Sequence, residues 1–133
     1  MNARELMIGD WVYVSKNFTQ KYHKVRYIDD DGGIGCRYVN EHGIECKSAL
    51  VMDYVQPIPL TSVILEKNGF HHPKFNDCTD VAYDKDGLIV LHTSGLYFYI
   101  STPDAYIHII FVHELQHALR LCGLNSLADN FKI

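Results

Sequence analysis

The string His113-Glu114-Leu115-Gln116-His117 carries the residue types and spacing with the clearest chemistry in this chain. On a helix, residues four apart are neighbours. His113 and His117 would then present two imidazoles on one face, with Glu114 beside a bound metal as general base. That arrangement is zinc-hydrolase chemistry. A catalytic zinc takes three protein ligands and keeps one position open for water. In the common zinc peptidases the third ligand lies downstream, but the 16 residues after His117 hold no His and no Glu, and Asp129 is their one acid. His23, His42, His71, His72, His92 and His108 all precede the string, and of these His71 or His72 could complete a site.

The helix itself argues for a structural role. Laid out at about 100° per residue, Phe111, Val112, Leu115, Ala118, Leu119 and Cys122 form one apolar arc. His113 and His117 fall opposite its centre, beside Arg120, whose guanidinium would oppose a cation. Unless another element covers that face, the two histidines are expected in solvent. The string is therefore read as part of a structural helix, with no committed catalytic residue, metal ligand or cofactor. Zinc on His113 and His117, with Glu114 as base, is the alternative.

Other motifs are weaker. Asp29-Asp30-Asp31-Gly32-Gly33 begins like a calcium loop but lacks the downstream bidentate Glu. Gly32-Gly33-Ile34-Gly35 has no following helix or Lys-Ser/Thr to make a phosphate loop. Cys36, Cys46, Cys78 and Cys122 contain no Cys-x-x-Cys and read as reduced thiols, with a Cys36–Cys46 hairpin pair as the minor alternative. Tyr97-Phe98-Tyr99 reads as ordinary sheet core and surface rather than a base-stacking platform.

The elements that must position these residues follow from composition and pattern. With 133 residues, 47% hydrophobic and 21% charged, the chain has the make-up of one ordinary globular domain or two small ones sharing a core. A formal net charge of −4 disfavours a dedicated nucleic-acid binder, since the basic cluster Lys16, Lys21, Lys24 and Arg26 sits close to Asp29-Asp30-Asp31. No stretch approaches the roughly 20 apolar residues of a membrane span. An acid at Glu5 and the Gly9-Asp10 interruption do not suit a signal peptide, so a cytoplasmic location is expected.

Residues 1–58 read as five short strands with tight turns: Trp11 to Val14, Tyr22 to Ile28, Ile34 to Val39, Ile44 to Lys47, and Val51 to Ile58 after a Ser48-Ala49-Leu50 turn. That density of strands predicts a small SH3-like β-barrel. Residues 59–133 read as a helix–meander–helix unit packed on it. Thr61 caps a helix over about Thr61 to Asn68, and Gly69 stops it. Strands are expected at Val81 to Tyr83, Leu88 to His92, Leu96 to Ile100 and Ala105 to Ile109. A helix from Phe111 to Cys122 ends at Gly123, and residues 124–133 form a short extra turn or a tail. The fold class is α+β.

Three segments together resemble a family of small proteins of gut-bacterial genomes, often encoded near phage or mobile-element genes. They are Met1-Asn2-Ala3-Arg4-Glu5-Leu6-Met7-Ile8-Gly9-Asp10-Trp11-Val12, then Pro57-Ile58-Pro59-Leu60-Thr61 with its helix ending in Gly69-Phe70, and Val112-His113-Glu114-Leu115-Gln116 continuing to Leu119 and Gly123. The resemblance implies no activity. Members commonly carry Gln at the position of Glu114 and Asn at that of His117, a pattern unable to bind zinc in this manner. This chain also has Ser62 and Val63 where the family has acids. The expectation is a non-enzymatic accessory or interaction protein whose partner is a protein, with no membrane partner. A zinc hydrolase is the alternative, and a nucleic-acid-binding accessory role through the barrel is the third reading.

Overall fold

The computed structural model describes residues 1–71, 82–86, 88–93, 97–101 and 103–133. His72, Cys78 and the expected strand starts at Val81 and Leu96 lie outside them. In the N-terminal half, Trp11–Val14 (β1), Tyr22–Ile28 (β2), Ile34–Val39 (β3), Glu45–Leu50 (β4) and Val55–Gln56 (β5) form a five-stranded antiparallel sheet in the order β4-β3-β2-β1-β5. Successive side chains point to opposite faces. Val12, Val14, Val25, Ile34, Cys36, Leu50 and Val55 accordingly share one face and pack with Ala3 and Leu6 into a core.

The barrel expected for residues 1–58 does not close among the described residues. β4 and β5 are the two edges of the ladder. Between them stand only Val51 and the 3-10 turn Met52–Tyr54, so the chain continues round a corner instead of laying the two strands side by side. Ser48-Ala49-Leu50 is strand rather than turn, because Ser48 pairs with Cys36 and Leu50 with Ile34, which buries both.

The second half combines helices with a second antiparallel sheet. Ser62–Lys67 (α1) is capped by Thr61, whose hydroxyl accepts from the Ile64 N–H at 3.3 Å. Its end is a Schellman turn: Phe70 N–H bonds Leu65 O, Gly69 N–H bonds Glu66 O, and Gly69 supplies the left-handed residue at φ 81°. Ala82–Lys85 (β6), Ile89–Thr93 (β7), Phe98–Ser101 (β8) and Tyr106–Ile109 (β9) make a four-stranded antiparallel sheet in chain order. β6 runs on past the expected end at Tyr83 to include Asp84 and Lys85. Val112–Leu121 (α2) and Asn125–Asp129 (α3) follow, so residues 124–133 do form an extra turn.

The second core contains Leu65, Phe70, Tyr83, Leu91, Ile109, Leu115, Leu119 and Phe131. Trp11 and Tyr13 of β1 pack against it from the opposite sheet. Strand β1 therefore faces both cores, Val12 and Val14 into one and Trp11 and Tyr13 into the other. No helix of the described residues is long and apolar enough to cross a membrane.

Candidate functional site

The α2 face that sequence pattern leaves in solvent is covered. The segment Met7 to Trp11, which leads into β1, lies against it, and that reverses the environment expected for the histidines. His113 is only 5% exposed. The contacts are polar and specific. The Asp10 side chain is fully buried, with Oδ1 accepting from Arg120 Nη1 at 2.7 Å and Oδ2 accepting from the Met7 N–H at 2.8 Å. His117 Nε2 meets the same Oδ2 at 2.6 Å. Arg120 also donates to Ile8 O and lies 3.6 Å from Asp129.

Gln116 lies at the centre of this seam with no exposed surface. Its Oε1 accepts from the Trp11 N–H at 3.0 Å, and its Nε2 donates to Gly9 O at 3.0 Å and Ala128 O at 3.1 Å. One amide thus joins the approach to β1, α2 and α3. Two further bonds extend the seam: Trp11 Nε1 to Phe131 O at 2.6 Å and Lys24 Nζ to Asp129 O at 2.7 Å.

The zinc reading can be tested against these partners. A carboxylate bound by a guanidinium accepts hydrogen bonds and does not donate, so His117 Nε2 carries the hydrogen and has no lone pair for a metal. Glu114 turns back on its own helix, where Oε1 accepts from the Ile110 N–H at 3.0 Å and the Phe111 N–H at 2.9 Å. That is the glutamate half of a capping box, a helix-start device. His71 pairs with Asp84 through the backbone, and Asp129 faces Arg120. Among the described residues, no group of three His, Cys, Asp or Glu is placed to hold a metal ion. The described residues do not fit zinc.

His113 is the exception to an otherwise satisfied seam. Its Nδ1 is buried without a hydrogen-bond partner. Burial lowers its pKa most, and the charge of His117 adds to the shift. Asp10, Glu114 and Glu5 pull the other way. His23 on β2 is lowered by burial too, but both its ring nitrogens are used, Nδ1 with Ser48 Oγ at 3.0 Å and Nε2 with Gln20 O at 2.8 Å. Cys36 and Cys46 are free thiols that do not face each other, since Cys36 lies opposite Ser48 and Cys46 opposite Tyr38. Burial pushes the Cys36 thiol up to about 12, against the opposing charge of Arg26, which makes it a poor nucleophile.

A different surface stands out on the second sheet. The register places His92 opposite Tyr99 and Tyr99 opposite His108. His92 stacks on Tyr99 with centroids 5.1 Å apart, Tyr97 lies 4.6 Å from His108, and Tyr106 meets Tyr99 edge-on at 5.5 Å. Tyr106 is 68% exposed. Strands β7, β8 and β9 read IVLHT, FYIS and YIHI and contain no charged residue. β9 is also a sheet edge. Tyr97 and Tyr99 stand together in the sequence, but His92 and His108 join them only through cross-strand register.

Comparison with protein-family models, with curated proteins and with solved structures returned no match.

Proposed function

We propose that this chain is a non-enzymatic accessory protein that binds another protein through the outer face and the β9 edge of the β6–β9 sheet. The carrying observation is the charge-free edge strand β9, exposed at Tyr106, Ile107 and His108. Soluble proteins usually blunt a sheet edge with lysine, proline or a bulge, because its unpaired backbone groups recruit a further strand. An uncharged edge beside a tyrosine-rich face has the composition of a protein interface, where charged residues are depleted and aromatics enriched. Strand addition by a partner would supply main-chain hydrogen bonds, and the His92–Tyr99–His108 row would contact its side chains.

For residues 1–58 we favour an SH3-like arrangement. The order β4-β3-β2-β1-β5 and the 3-10 turn between the last two strands support it. On the family resemblance, the partner is encoded on the same phage or mobile element.

The test is a photo-crosslinking residue at Tyr106, compared with one at the exposed Val63 of α1, in the native host. A discrete protein adduct at position 106, absent at 63 and lost when Ile107→Lys charges the edge, supports the reading. Equal labelling at both positions, or a persistent adduct with Ile107→Lys, rejects it.

A further inference from the structure

The side of the first sheet turned away from its own core carries a row of like charges where it runs out beyond Trp11. The register sets Lys24 opposite Arg37 and Arg37 opposite Lys47, a row of cations running directly across β2, β3 and β4. Neighbouring strands lie about 4.8 Å apart, and like charges directly opposite one another are destabilising. Glu45 offsets the row weakly, reaching Arg37 only at 4.0 Å with both side chains about half exposed. Arg26 stands beside the row, in a hollow of about 320 Å³ that it shares with Arg37, Glu45, Val25 and the Ile8-Gly9 turn. A second hollow of about 240 Å³ lies along the row, walled by Trp11, Tyr38 and Val39, by Lys24 and Arg37, and by the Glu45 carboxylate. Lys24 is fixed in place over the Trp11 ring at 5.1 Å and by its bond to Asp129 O. Its pKa is lowered by burial and next by the charge of Arg37.

We propose that this groove binds a single-stranded nucleic acid, with consecutive phosphates on Lys24, Arg37 and Lys47 and a base against the apolar wall between Trp11 and Val39. Cations in fixed geometry beside an aromatic and apolar surface are the combination that takes both backbone and bases of a single strand. Arg37 suits a phosphate through its planar fork, and Lys24 and Lys47 act as point charges. An acidic peptide would use the cations but leave the apolar wall idle. The net charge of −4 does not oppose this site, since the field close to a surface is set by the local cluster within a Debye length of about 8–10 Å.

Trp11 is the only tryptophan, so its fluorescence reports on the groove without a label. The full chain is titrated with an oligothymidylate of about 12 nucleotides, following Trp11 emission and oligonucleotide anisotropy at several salt concentrations. With three phosphate contacts, log K is expected to fall with log salt at a slope of about −2. The double variant Arg37→Glu/Lys47→Glu should lose at least about tenfold in affinity while keeping its melting temperature, whereas Lys67→Glu on α1 should bind nearly as wild type. Absence of binding at low salt overturns the proposal. Equal loss in Lys67→Glu reduces it to net charge. Displacement by polyglutamate at equal charge concentration assigns the groove to an acidic protein instead.

Discussion

At the scale of single residues, Asp10 and His113 show opposite solutions to burial. Asp10 is fully buried, yet both oxygens have partners, including the Arg120 guanidinium and the His117 ring. Removing one member of such a cluster strands the others, so Asp10→Ala should cost about 3 kcal/mol in urea unfolding. His113 is buried with Nδ1 unmatched. Its native pKa lies below the ordinary 6.5 because burial disfavours the cation. The unfolded chain therefore binds the proton more readily, and stability is lost as pH falls below 6.5 towards the native pKa. His23 adds to the same trend. His113→Leu should raise stability at neutral pH by about 1 kcal/mol and flatten this acid slope, while His23 keeps the remainder. Thermal melts between about pH 7.5 and pH 5 read both effects. Adding zinc to the wild type in excess should leave the melting temperature unchanged within about 1 °C, because a ligand stabilises only by binding the native state.

At the scale of elements, α2 holds its neighbours through a side-chain amide. Gln116 accepts from one partner and donates to two, all of them backbone groups of other segments. Gln116→Leu should cost about 2–4 kcal/mol by leaving buried backbone groups unpaired. Gln116→Glu should be worse despite its matching shape, since it cannot donate and would bury a charge. Equilibrium denaturation of the two variants ranks them. Local chemistry made the helix legible in sequence: its apolar arc, the Gly123 stop and the Thr61 and Gly69 signals of α1 all depend on residues within one or two turns. The cover over its polar face was not legible. Nothing near His113 in sequence indicates that Asp10 and Trp11, more than a hundred positions away, will pack there. A buried glutamine in a helix looks the same in sequence as an exposed one. Arg120 one turn beyond His117 was the single local hint that an acid was needed.

At the scale of the whole molecule, β1 joins two sheets whose exposed surfaces differ in kind. The first sheet presents its cation row and the second an aromatic face that is uncharged across β7, β8 and β9, with Asp84 of β6 at its far side. The strands of both were largely legible from alternation and turn residues. Their outer surfaces were not, because His92, Tyr99 and His108, like Lys24, Arg37 and Lys47, become rows only once register is set. Ile107 is 41% exposed, so Ile107→Lys should leave the fold intact, with a melting temperature within about 2 °C of wild type in a thermal melt.

The seam at Gln116 also bears on the order of events in folding. Hairpins β2–β3 and β3–β4 close short loops, whereas the Trp11 bonds to Gln116 and Phe131 span 105 and 120 residues of chain. Contacts of that range bear a large closure entropy and form late, after local pairing has shortened the effective loop. Interactions made only after the rate-limiting step slow unfolding without speeding folding. In stopped-flow experiments, Gln116→Leu should therefore displace the unfolding limb of the chevron and leave the refolding limb almost unmoved, which makes this buried amide the residue that sets the lifetime of the native state.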